Sequence, residues 1–166
     1  MYNYYSQPQT NRELIESLKI NWVLNTPAIE KALLKYDRKL FIPTEFAAQS
    51  YLDQPIEIGS GQTISQPFTL AFMLELLNVQ SGDKILDIGS GSCWSTALLA
   101  GLAGEKSQVT GLEIRKSVWK FGSKNLQQFT LNNVRNILAV DGQVGLSKKK
   151  FDRILVSAAA QTLSEE

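Results

Sequence analysis

The residues best suited to chemistry stand in Lys84-Ile85-Leu86-Asp87-Ile88-Gly89-Ser90-Gly91-Ser92-Cys93-Trp94, where a carboxylate precedes two glycines one residue apart. An apolar run, 85–88, breaks into Gly-Ser-Gly-Ser, and a helical pattern of Trp94, Ala97, Leu98 and Leu102 follows at once. Strand, glycine turn and helix in this order is how an open α/β sheet builds a nucleotide site. Gly89 and Gly91 allow a tight turn and a close backbone approach, and the helix N-terminus faces the ligand. Without the flanking strand and helix, Gly-Ser-Gly would be a plain turn.

Departures from the dinucleotide pattern narrow the ligand. That pattern wants a small third residue beside a pyrophosphate, and here the position is Trp94. Asp87, at the strand end, would repel a diphosphate. The same carboxylate suits a cationic head, such as the ammonium and sulfonium of S-adenosylmethionine. Glu113, at the end of the next predicted strand, is placed to accept both ribose hydroxyls.

Composition excludes several classes of chemistry. The 166 residues contain no histidine, which removes His-based triads, the usual zinc sites and the commonest general base, so no metal is expected. An enzyme built from this chain must need little proton shuttling, and methyl transfer from a sulfonium to an existing carboxylate meets that condition. A net charge of +1 gives no field that draws the chain to nucleic acid or membrane. Lys148-Lys149-Lys150 reads as a solvated loop. A single cysteine excludes an internal disulfide, and neither a signal-peptide pattern nor a membrane-length apolar run is visible. The expected compartment is the cytoplasm.

The elements that must position these residues follow from local signals. Thr10-Asn11-Arg12-Glu13 is a capping box that predicts a helix burying Leu14, Ile15 and Leu18. Thr26-Pro27 predicts a second, with Thr26 as cap and Ile29, Ala32, Leu33 and Tyr36 on one face. An extended segment over 40–43 and a short helix over 45–50 come next. Residues 51–67, with prolines, glycines and spaced isoleucines, read as an ordered loop, and Pro67 opens an apolar helix to about Val79. Strands at 84–88, 108–112, 134–140 and 151–157 alternate with helices at about 94–103 and up to about Leu131. This alternation predicts a parallel, doubly wound sheet.

From Asp37-Arg38-Lys39-Leu40-Phe41-Ile42-Pro43 to Phe151-Asp152-Arg153-Ile154-Leu155-Val156-Ser157-Ala158-Ala159, the chain resembles the protein-L-isoaspartate O-methyltransferases. The most specific piece is Pro55-Ile56-Glu57-Ile58-Gly59-Ser60-Gly61-Gln62-Thr63-Ile64-Ser65-Gln66-Pro67, a loop that general methyltransferases lack. The resemblance implies a Rossmann-like α/β fold with an N-terminal helical extension. Residues 1–80 would supply helices and a covering loop, and 81–166 a core that binds S-adenosylmethionine, the two packed as one unit. It implies that Asp87, Gly89 and Gly91 surround the methionine end of the donor, Glu113 holds the ribose, and Asp141 with Gly142 lies near the adenine. Thr63, Ile64 and Ser90 complete the implied donor set. The serine matching Ser65 sits beside the substrate carboxylate in the family and is the implied catalytic residue. The implied activity is methylation of L-isoaspartyl and D-aspartyl carboxylates in damaged proteins, a repair reaction driven by alignment and desolvation. Bland roles also fit: Ser65 as cap of the helix at Pro67, and Asp141-Gly142 as a turn.

Two departures from the family stand out. Cys93 replaces a usual glycine. The family also continues past Ser164-Glu165-Glu166 with a helix and three strands, so the sequence reads as a C-terminally truncated fold. Its apolar edge, Ile154-Leu155-Val156, would then be open to self-association. The competing reading is a truncated, non-catalytic homologue that binds S-adenosylmethionine or a partner protein. Nucleic-acid methylation is disfavoured, because Ser157-Ala158-Ala159-Ala160 stands where amino-methylating enzymes carry Asn/Asp-Pro-Pro-aromatic.

Overall fold

Thr10 opens the first helix as its capping-box spelling predicts. The computed structural model describes residues 7–140, 146 and 149–158. In it Thr10 Oγ1 accepts from the Glu13 N–H at 3.2 Å, and α1 (Asn11–Ile20) buries Leu14, Ile15 and Leu18. The return arm is displaced from the usual box, since Glu13 Oε2 accepts from the Gln9 N–H at 2.7 Å. Helix α2 (Pro27–Lys35) begins at the predicted proline with Thr26 at the cap position, but the Thr26 side chain makes no capping bond. The Thr26 hydroxyl donates instead to Glu75 Oε2 at 2.7 Å, and Glu75 Oε1 accepts the N–H groups of Asn25 and Thr26.

The segment after α2 corrects two expectations. Residues 40–43 are not one extended unit: Arg38–Phe41 forms a 3-10 turn, and Ile42 and Pro43 alone are extended after it. Asp37 starts that turn by accepting the Lys39 N–H at 2.9 Å, and Phe41 is buried completely. The short helix expected over 45–50 is present as a 3-10 helix, Thr44–Gln49. The loop expected at 51–67 contains an antiparallel hairpin, β1 (Ile56–Gly59) and β2 (Gln62–Ile64), with Ile56 opposite Ile64. Helix α3 (Pro67–Leu77) opens where predicted and ends two residues before Val79, at left-handed Asn78.

The main sheet comprises β3 (Lys84–Ile88), β4 (Gln108–Glu113), β5 (Val134–Leu138) and β6 (Arg153–Val156), all parallel in the order β5-β4-β3-β6. Helices α4 (Trp94–Ala103) and α5 (Lys116–Leu126) make the crossovers. The last two strands are shorter than the 134–140 and 151–157 expected. Helix α5 stops before Leu131 because Phe129 turns back to stack on Phe41, with ring centroids 5.6 Å apart, and to meet Tyr36 edge-on. One apolar core runs from Leu14, Leu33, Ile56 and Leu70 to Ile85, Leu98, Val109 and Leu155. Strand order reverses between β3 and β6, so their carboxyl ends open the crevice in which such sheets bind ligands. Among the described residues no helix is long and apolar enough to cross a membrane.

Candidate functional site

The turn leaving β3 is held from behind by β4: the N–H groups of Gly89 and Ser90 both donate to the Leu112 carbonyl, at 2.8 and 3.1 Å. Gly89 has a φ of +77°, and a Cβ there would lie 2.7 Å from that of Ala158 after β6, so only glycine fits. Cys93 occupies a left-handed conformation with φ +63°, which for a residue with a Cβ costs roughly 1–2 kcal/mol. Burial pushes its thiol up to about 12, so it is no nucleophile at neutral pH.

Two carboxylates buttress the turn. Asp87 has no exposure; its Oδ2 accepts from Ser95 Oγ at 2.7 Å and Thr96 Oγ1 at 2.6 Å, while Oδ1 is buried without a partner among the described residues. Desolvation raises its pKa to about 6, against the opposing pull of the two hydroxyls. Glu113 is 6% exposed and spans the neighbouring loops, accepting the Gly91 N–H on Oε2 at 3.1 Å and the Arg115 N–H on Oε1 at 2.8 Å.

The hairpin covers the turn from the front. Ile58 reaches Gly91 closely enough that a Cβ on that glycine would lie 3.5 Å from Ile58 Cδ1. Its tip is tied to α5 by a 2.7 Å bond between the hydroxyls of Ser60 and Ser117. After the hairpin, Ser65 is half-buried, and its hydroxyl makes no hydrogen bond among the described residues. It does not cap α3. Gln66 holds the cap position, and Asp53 serves the first turn, accepting the Phe68 N–H at 2.8 Å. Local spelling favours Ser65 for that task, but a carboxylate folded back from the preceding loop takes it.

Hairpin and glycine turn line an open cleft. Of the expected site residues, Thr63, Ile64, Ser65, Gly89, Ser90 and Gly91 line it. Asp87 and Glu113 stand behind the lining, and Asp141 and Gly142 lie outside the described residues. Sequence reasoning missed Leu70, Ser92, Trp94, Ser95 and Ser157 among the lining residues. Ser157 was legible from the switch-point rule, because it follows β6 and its N–H donates to the Ile88 carbonyl at 2.8 Å. Arg38 and Gly122, described below, gave no local signal.

The cleft can hold a zwitterion. No side chain caps the N-terminus of α4, so that helix end offers N–H groups and a positive dipole end to an anion. Asp87, with its unpartnered oxygen, offers negative charge nearby. Among the described residues no cluster of acids and cysteine could hold a metal ion.

Known proteins resemble this chain over most of its length. Residues 9–166 match the family model described as Protein-L-isoaspartate(D-aspartate) O-methyltransferase (PCMT). A protein-L-isoaspartate O-methyltransferase of Anaeromyxobacter dehalogenans is 40% identical over 154 residues, covering 90% of this chain and 70% of its own. That of Ignicoccus hospitalis is 34% identical over 158 residues, with 95% and 74% covered. A Plasmodium falciparum structure, described as a beta-aspartate methyltransferase in complex with S-adenosyl-L-homocysteine, superposes with a TM-score of 0.83 at 29% identity, covering 95% and 78%.

Proposed function

Because the chain belongs to the protein-L-isoaspartate O-methyltransferase family, we propose that it methylates the carboxylate of L-isoaspartyl and D-aspartyl residues in damaged proteins, a repair reaction. The methyl donor is S-adenosylmethionine, which when bound supplies a methyl group on a cationic sulfur. The observation that carries the reading is the hairpin of the family-specific loop lying over a glycine turn backed by Asp87. In this reading Gly89, Ser90 and Gly91, with Thr63 and Ile64 from the hairpin, enclose the donor. Asp87, from behind the turn, supplies the charge for its ammonium, the bare end of α4 meets its carboxylate, and Glu113 serves its ribose; Asp141 and Gly142 are assigned to the adenine.

Ser65 takes the substrate side. Its uncommitted hydroxyl donates to one oxygen of the isoaspartyl carboxylate and leaves the other free to attack. The acceptor arrives ionised, so no general base is needed, consistent with a chain that has no histidine. Alignment and exclusion of water by the hairpin then supply most of the acceleration. Residues 1–80 and 81–166 work as one unit here, because the covering hairpin comes from the first and the turn from the second. The expected partners are isoaspartyl proteins or peptides in the cytoplasm; a net charge of +1 supports no nucleic-acid role. A second copy of the chain is a further partner, pairing along β6, where Ile154 and Val156 are 50% and 44% exposed.

Ser65→Ala tests the reading. Methyl transfer to an isoaspartyl peptide should fall while S-adenosylhomocysteine affinity holds. Equal turnover per folded molecule would remove Ser65 from the substrate side, and a wild-type chain unable to methylate the peptide would defeat the function itself.

A further inference from the structure

The most completely buried cation in the described structure is one the reaction above does not use. Arg38 is 0% exposed, and its guanidinium gathers four carbonyls. Nη1 donates to those of Ser50 and Leu52, at 3.0 and 3.1 Å, and Nη2 to those of Gln54 and Ser65, at 2.7 and 3.0 Å. The same group lies over the Trp94 ring, 5.5 Å from its centroid. Among the described residues no carboxylate lies within 4 Å of it, and burial lowers its pKa to about 10, so it remains charged at neutral pH.

Burying a cation without a paired anion is unfavourable, and an apolar side chain would fill the space at less cost. The gain is geometric. A planar fork fixes several acceptors in one arrangement, which neither lysine nor an apolar group can do. Here the acceptors bracket the covering hairpin, and the last belongs to Ser65 itself. Trp94, the ring beneath the fork, is the first residue of the helix leaving the glycine turn. Arg38 thus touches both walls of the cleft from behind.

We propose that Arg38 is the positioning residue for methyl transfer, setting the Ser65 segment against Trp94 so that the substrate carboxylate meets the donor in line. This rests on Ser65 lying on the substrate side. Displacement of that segment by an ångström would slow the transfer step and leave most donor contacts, which come from the glycine turn, in place.

The test uses Arg38→Lys, which keeps the charge without the fork, and Arg38→Ala, which leaves a guanidinium-sized gap. Single-turnover transfer to an isoaspartyl peptide by Arg38→Lys should fall roughly 10- to 100-fold per folded molecule, the scale of a small misplacement, with S-adenosylhomocysteine affinity falling far less. Millimolar guanidinium chloride should restore part of the rate of Arg38→Ala, whereas sodium chloride at equal ionic strength should not. Unchanged transfer per folded molecule, or equal recovery in both salts, would overturn the proposal. Amide exchange across residues 50–66 reads the positioning without turnover: it should quicken selectively in both variants and slow again with guanidinium. Unaltered exchange there overturns the proposal even in a preparation without transferase activity, whereas inactivity of the wild type alone counts against the proposed function.

Discussion

Gly122 of α5 stands so close to Gly91 that a methyl group added to it would collide with the Gly91 carbonyl oxygen and lie 2.7 Å from Cys93 Sγ. A mid-helix glycine normally costs stability relative to alanine. Here it is the condition for the helix to press against the donor turn.

Gly122→Ala should therefore destabilise the chain by about 1–3 kcal/mol, the usual cost of overpacking, against the general helix propensity that favours alanine. Displacement of the turn should also weaken S-adenosylhomocysteine binding. Thermal melting and calorimetry check both, and a variant as stable as the wild type would show that α5 yields freely.

Asp87 should make the protein respond to pH in two ways. Burial holds its carboxyl near pH 6, above its ordinary 3.8, so between those values the folded chain binds more protons than the unfolded one. Stability should fall as pH rises from about 4 to about 6, by about 3 kcal/mol for a displacement of this size. A cationic ligand reverses the preference, so donor affinity should weaken as pH drops below 6. Asp87→Asn should flatten both profiles. Affinity that stays constant from pH 5 to 8 in the wild type would take Asp87 out of donor recognition.

Glu113→Gln separates two roles of that side chain. The amide keeps an oxygen for only one of the N–H groups of Gly91 and Arg115 and turns an NH2 toward the other, so thermal melting should register the lost bracing bond by itself. The amide also loses the charge that would hold two ribose hydroxyls, and S-adenosylhomocysteine should bind about 1.5–3 kcal/mol more weakly. Calorimetry showing equal affinity would confine Glu113 to bracing the turn.

Association through β6 should depend on concentration and be suppressed by Ile154→Lys, since a charge on an edge strand discourages pairing with another chain. Light scattering measures this; a wild-type monomer at all accessible concentrations would discard the second copy as partner.

The sequence was most legible where the determinants are local. Strand 84–88 and helix 94–103 match their expected bounds, because an apolar run, a glycine turn and a renewed helical period stand within twenty residues. The hairpin was missed because strands of four and three residues carry too few alternations to stand out from a loop. Thr26 and Ser65 both have the spelling of caps, yet Glu75 and Asp53 reach across the fold and change their roles. Arg38 is the extreme case: its acceptors lie 12 to 27 residues away, and no composition announces a charged side chain with no exposure.

The hairpin is fastened unequally at its two ends. At its root Arg38 makes four charge-assisted bonds, each worth about 1.5–3 kcal/mol, whereas at its tip Ser60 and Ser117 share one neutral bond of about 0.5–1.5 kcal/mol. Such an element behaves as a leaf spring clamped at one end, and it lifts from the tip first. Amide exchange should accordingly be faster at 59–61 than at 54–56. In the proposed reaction spent donor would leave beneath the raised tip while the clamped end, with Ser65, keeps its alignment, so each cycle would reset only the weaker end of the spring.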